Sequence, residues 1–239
     1  SHEEANTFLL LNGYQNFTEM QSKMSEVMLE YFPALTPEEQ INKENLLSEE
    51  EITRIVKDLA ELEINNITHM VSSLNFQDIN KLVKDLVTSP EIIIIANRIS
   101  VPLATYSSNI WNRTSINVKT ITSADTCTFD TIPNYDRSSL VLAFGFWRYP
   151  KDTLKLMNYF KRKNFKIVAI TDNEKSPLIH LAEYSLFVKG ASLIYTDSYV
   201  NALILLNTIA IALCEIDKKK VIKRLYEFED TAKNLDYYF

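Results

Sequence analysis

Apolar residues change their period once along this chain, near Pro90. Before it the recurrence is helical. Phe17, Met20, Met24, Val27, Met28 and Tyr31 fall at helical spacing, and Pro33 stops the run. Residues 33–45 are polar, with two prolines and several charges, and read as a linker. Ser48 and Glu51 then have the form of a capping box, in which each side chain satisfies a free N–H of the helix start. The helix they open carries Ile52, Ile55, Val56, Leu59, Leu62, Ile67, Met70, Val71 and Leu74 on or near one face. A second helix follows Asn75 with Ile79, Leu82, Val83, Leu86 and Val87, and Pro90 ends it.

Beyond Pro90, short apolar runs alternate with helical stretches. The runs at 91–96, 117–122, 139–144, 165–171 and 184–188 are predicted strands. Helices are predicted at 101–113, 150–162 and 176–181, then a buried one over 196–214 and an exposed amphipathic one over 218–234. Strands apolar at nearly every position are buried on both faces, which is the mark of a parallel sheet. Strand–helix alternation makes right-handed βαβ units. The expected fold is therefore α/β: a flavodoxin-like, doubly wound, five-stranded parallel sheet preceded by N-terminal helices. In such a sheet the ligand crevice lies outside the carboxyl ends of the strands.

Composition narrows the function classes. Of 239 residues 46% are hydrophobic and 23% charged, enough to bury a substantial core. A net charge of −6 gives no global attraction to nucleic-acid phosphates, so a DNA contact would need a local basic surface or a further segment. Cys127 and Cys214 lie far apart with no CxxC spacing, which excludes a sequence-readable zinc site. No metal or cofactor is predicted. The apolar run 202–213 is shorter than the roughly 18 residues of a spanning helix and carries Asn207, so no membrane contact is expected. With no signal peptide evident, the cytoplasm is the expected compartment. Glycine is scarce, at Gly13, Gly145 and Gly190 only, although strand-to-helix turns that approach phosphates often use it.

The loops after the strands hold the candidate chemistry. After the first come Asn97, Arg98, Ile99 and Ser100, at the start of a helix. Ser100 either joins an anion site made with free backbone N–H groups or simply caps its helix. After the third come Gly145, Phe146, Trp147, Arg148, Tyr149 and Pro150, where Arg148 suits a phosphate or carboxylate through paired hydrogen bonds. Alternatively Arg148 pairs with a neighbouring carboxylate, and Trp147 and Tyr149 serve packing. Asp172 follows the fourth strand, and Asp197 and Ser198 open the final long helix. Convergent donors point to an anionic small ligand. For catalysis His69 and His180 are the isolated candidates, with no nucleophile–base pair, paired carboxylates or metal cluster, so no catalytic residue is assigned.

The stretches 92–100 with Leu103, Ala104, Thr105 and Tyr106, 146–153, 168–172 with Ser176, Pro177 and Leu178, and Asp197, Ser198 and Asn207 carry a resemblance. In order and spacing, residues 48–214 resemble the sugar isomerase (SIS) domain of RpiR-family bacterial transcriptional regulators. Many such domains have a first loop GxGxS; here Ala96 and Arg98 stand at the glycines and Ser100 matches. The second loop, SxSGxT, is replaced by Gly145, Trp147, Arg148 and Pro150 at its defined positions, so its hydroxyls are missing. Residues 8–14 and 17–20 resemble the end of the family's helix-turn-helix domain, most of which would lie upstream of Ser1. The segment matching the DNA-reading helix, 3–11, has no Lys or Arg.

The resemblance implies domains at 1–32 (the end of the helix-turn-helix part), 33–47 (linker) and 48–239 (SIS-type). It implies a non-enzymatic sensor of a phosphosugar or similar anionic carbohydrate. DNA would be bound through the upstream region, and a homodimer would form through helices beside the sheet. The expected ligand set is Asn97, Arg98, Ser100, Gly145, Trp147, Arg148, Tyr149, Asp197 and Ser198. Two alternatives stand beside this: a sugar-phosphate isomerase, and an interaction module whose pocket has decayed.

Overall fold

A computed structural model describes residues 47–114, 116–188, 190–193 and 197–238. The expected domain 1–32 and all of the linker 33–47 except Leu47 lie outside the described residues. Ile55–Phe239 forms one compact unit.

Helix α1 (Glu49–Ser73) starts where its capping box predicts. The Ser48 N–H donates to Glu51 at 2.8 Å, and the Glu51 N–H donates to the Ser48 hydroxyl at 3.2 Å. Helix α2 (Phe76–Thr88) is capped by Asn75, which accepts from the Gln77 N–H. It buries Ile79, Leu82, Val83 and Leu86, four apolar side chains at helical spacing.

Five strands follow: β1 (Ile92–Ile95), β2 (Val118–Ile121), β3 (Leu140–Gly145), β4 (Lys166–Thr171) and β5 (Tyr184–Phe187). All pairings are parallel and the order is β2-β1-β3-β4-β5. This is the predicted doubly wound arrangement. β1 and β3 are buried at every position, because β-branched and long apolar side chains meet helices on both faces. The alternation of the pleat divides β1 between two cores. Ile92 and Ile94 pack with α2, helix α3 (Val101–Asn112) and helix α6 (Val200–Ile216). Ile93 and Ile95 pack with helix α5 (Lys151–Arg162), through Leu156, Met157 and Phe160. Each of these fully buried isoleucines contributes about 2 kcal/mol of apolar burial.

The remaining α-helices are helix α4 (Thr126–Thr131) and helix α7 (Lys218–Asn234), and 3-10 turns span Arg98–Ser100 and Ile132–Asn134. The helix expected at 176–181 is a 3-10 turn, Pro177–His180, led by a proline and too short to close an α-helical ladder. The last buried helix begins at Val200, so Asp197 and Ser198 precede it instead of opening it; Thr196 lies outside the described residues. No single described helix is long and apolar enough to cross a membrane.

One detail of the register shapes the site. β1 ends at Ile95 opposite Ala143, whereas β3 continues through Phe144 to Gly145, opposite Thr171 of β4. At about 3.3 Å per residue, the β1 loop leaves the sheet roughly 7 Å below the β3 loop. The carboxyl edge therefore has a step.

Candidate functional site

The crossover after β1 runs through α3 on one face and that after β3 through α5 on the other. A crevice opens where adjacent strands send their connections to opposite sides. The structure places the 97–100 and 146–150 loops there. A cavity of about 220 Å³ is lined by Asn97, Arg98, Ser100, Trp147, Arg148 and Asp197, with Phe146 and Tyr199 among its other walls. An adjoining cavity of about 640 Å³ shares Asn97, Arg98, Arg148 and Pro150, and adds Tyr149, Lys151 and residues 122–125. Six of the nine expected ligand residues thus line the first cavity, and Tyr149 lines the second. Gly145 and Ser198 line neither. The Gly145 carbonyl accepts from the Thr171 hydroxyl, and the Ser198 hydroxyl accepts from the Val200 N–H at 3.3 Å.

Asn97 holds the floor. It is buried, donates to the Thr122 carbonyl at 2.9 Å and accepts from the Thr153 hydroxyl at 2.8 Å. These bonds tie the β1 loop to the end of β2 and to α5, and leave the Asn97 amide engaged within the protein. Ser100 is buried but makes no capping hydrogen bond to α3. Its side chain interacts with the Tyr199 hydroxyl, whose pKa is raised chiefly by burial. The Tyr199 ring stands 5.2 Å from that of Phe146 and completes an aromatic wall. Trp147 is exposed and meets Tyr149 edge to face at 6.4 Å.

A polar knot fixes the base of the β3 loop. Tyr149 donates to Asp172 Oδ1 at 2.8 Å, and Asn173 donates to Asp172 Oδ2 at 2.9 Å. The Thr171 hydroxyl lies between the Gly145 carbonyl, the Ser176 hydroxyl and Asp172 Oδ1. Burial, then the bond and charge of Asp172, push the Tyr149 phenol upward. Asp197 is half-buried. Its carboxyl is held above the usual carboxylate range by burial and by the charge of Asp172, partly offset by the Trp147 N–H.

Arg98 and Arg148 differ from their neighbours. Both are exposed, and neither guanidinium has a hydrogen-bond or ion-pair partner among the described residues. Arg148 therefore makes no ion pair with a loop carboxylate within the described part of the chain. His69 and His180 are exposed and line neither cavity. Among the described residues no cluster of three His, Cys, Asp or Glu is placed to hold a metal ion.

The sequence offered no signal for several site features. The Asp172 knot and the Phe146–Tyr199 wall join residues distant in the chain. Asn66 of α1 was likewise missed: it accepts from the Ala191 N–H at 2.8 Å and donates to the Ala191 carbonyl at 2.9 Å. That pair pins the segment leading towards Asp197.

Fold and crevice together define a doubly wound α/β module with a crevice at the topological switch point. The SIS domain family matches residues 85–212, and the chain belongs to that family. No curated protein sequence matches significantly. Solved structures do. The sugar isomerase domain of an RpiR transcription factor from Sphaerobacter thermophilus is 18% identical, with a TM-score of 0.67 over 70% of this chain and 93% of that one. The Vibrio vulnificus NanR protein, complexed with ManNAc-6P, is 15% identical, with a TM-score of 0.73 over 98% and 82%. A Methanococcus jannaschii protein with an inferred 3-hexulose-6-phosphate isomerase function is 16% identical, with a TM-score of 0.58 over 70% and 97%. At these identities the likenesses establish the fold.

Proposed function

We propose that this chain is the effector-sensing part of an RpiR-type transcriptional regulator, and that it binds a phosphosugar or similar anionic carbohydrate at the carboxyl ends of β1 and β3. The observation that carries this reading is the two-lobed crevice at the switch point, whose walls hold two arginines with no hydrogen-bond or ion-pair partner among the described residues. Regulatory neighbours support it: one of them was solved with a phosphosugar and matches almost the full length of the chain. DNA would be held by a helix-turn-helix region ahead of the SIS module, which occupies 48–239, with 33–47 as the linker. Ligand binding would act through a homodimer in the cytoplasm.

The test is thermal denaturation against a panel of sugar phosphates, followed by gel shift of the full-length regulator with and without the stabilising compound. A failure of every phosphosugar to raise the melting temperature would overturn the ligand assignment. A neighbour with an inferred isomerase function keeps the enzymatic reading in view. That reading needs an acid–base group at the cavity. The described histidines, His69 and His180, line neither cavity, and Asp197 is the carboxyl in the inner lobe. We expect no aldose–ketose turnover; turnover abolished by Asp197→Asn would establish an enzyme instead.

A further inference from the structure

Among the described residues, four non-glycine residues adopt positive φ: Arg98 (55°), Arg148 (67°), Asn164 (63°) and Asp236 (50°). The last two have an ordinary cause. They follow the ends of α5 and α7, where a short polar residue in the left-handed conformation closes the final turn. The arginines close no helix: Arg98 is the first residue of a 3-10 turn, Arg98–Ser100, that leads into α3, and Arg148 lies ahead of α5. Each sits in a loop leaving a strand, in a conformation where Cβ crowds the following carbonyl oxygen and glycine would be unstrained.

This strain brings no internal return. Both side chains are exposed and have no hydrogen-bond or ion-pair partner among the described residues. Strained backbone at a cavity is retained where it presents something to a ligand. What is presented here is a pair of planar, permanently charged forks suited to paired hydrogen bonds with an oxyanion. Both arginines line the inner and the outer cavity alike, which puts these two residues at the waist between the lobes. The half-buried carboxyl of Asp197 lies with Tyr199 in the inner lobe.

We propose that Arg98 and Arg148 form a two-guanidinium clamp for a phosphate dianion, held at the waist between the two cavities. Asp197 then accepts from the hydroxyls of the rest of the ligand in the inner lobe. The clamp uses side-chain forks where backbone amides and small hydroxyls could otherwise cradle the anion. Its charge selects phosphomonoesters over neutral sugars and over singly charged sugar acids. The hydroxyl-bearing part of the ligand rests on the phosphosugar reading above; the clamp itself does not.

Titration calorimetry with inorganic phosphate and with glucose 6-phosphate, on the full chain, separates the two. Glycine at either position relieves strain and removes one fork. Arg98→Gly and Arg148→Gly should each melt at or above the parent temperature while weakening phosphate binding about tenfold to hundredfold. Arg148→Lys keeps a charge and the strained backbone but loses the fork, and should fall between parent and glycine variant. Should a glycine variant not fold, the lysine variants at both positions decide. Unchanged phosphate affinity in the substituted proteins, or no phosphate binding by the parent, overturns the clamp. Phosphate binding that depends on both arginines, with no sugar phosphate bound, keeps the clamp and overturns the phosphosugar reading.

Discussion

Tyr149→Phe removes one hydroxyl from the knot that holds the β3 loop, and its cost follows from counting protons. Thr171 has a single hydroxyl proton but three acceptors, the Gly145 carbonyl, the Ser176 hydroxyl at 2.8 Å and Asp172 Oδ1, and the contact to Asp172 is the longest at 3.1 Å. With that proton on the carbonyl, Tyr149 is the donor left to Oδ1, at 2.8 Å. Asp172 is 8% exposed, so water replaces the lost donor poorly. A hydrogen bond to a charged group contributes about 1.5–3 kcal/mol. Tyr149 is only partly buried, so the lower end applies, about 1.5 kcal/mol. For a chain of this size that is roughly 3–6 °C in Tm. The phenol's raised pKa gives the sign with pH. Its stabilising share is fully present below the ordinary tyrosine value and is lost as pH rises through the folded value. The gap between parent and variant should therefore hold from neutral pH to about pH 10 and close above it. Scanning calorimetry at several pH values reads this directly. A variant that melts within about 1 °C of the parent at neutral pH would refute the proton count.

Three further outcomes follow from the same structure. Asn66→Ala loses both hydrogen bonds to the Ala191 backbone; it should cost about 2 kcal/mol and speed amide hydrogen exchange at Ala191, and unchanged exchange there would show that the tether carries nothing. In Gly145→Ala the new Cβ would stand 2.5 Å from a Leu178 methyl carbon inside a fully buried contact; urea denaturation should show a loss of about 1–3 kcal/mol, and none if Leu178 can swing aside. Asp197→Asn should be more stable than the parent at pH above the raised titration range of the half-buried carboxyl. That advantage should shrink as pH falls through the raised folded value towards the ordinary carboxylate range, and an advantage that grew on acidification would reverse the assignment.

What the sequence disclosed depended on how far each signal reached along the chain. β1 and β3 announced themselves because burial on both faces demands uninterrupted apolar residues, and their order followed from strand–helix alternation. Ser48, Glu51 and Asn75 marked helix starts through caps that act within three residues. Helix α4 escaped notice because it buries no residue and so has no apolar period; the one local sign was Asp125, which accepts from the Thr128 N–H at 2.9 Å. Arg98 and Arg148 stood out by residue type, but their backbone angles and their meeting in one crevice depend on the stepped register of β1 against β3. The Tyr149–Asp172 bond likewise needs Gly145 level with Thr171, a long-range fact no local pattern encodes.

The all-parallel sheet also governs how this chain reaches its native state. No strand can pair with its neighbour across a tight turn, so every pairing closes a loop containing a helix or 3-10 turn. The shortest closure joins Val168 to Tyr184 and the longest joins Ile92 to Leu140, at the sheet's centre. Loop-closure cost thus favours the β4–β5 edge forming early and the β1–β3 junction late. Until then the most apolar segments, Ile92–Ile95 and Leu140–Gly145, each keep the edge that faces the other unpaired. Refolding yield should fall as protein concentration rises, with those two segments nucleating the loss. The junction that shapes the crevice is then also the slow and exposed step of folding.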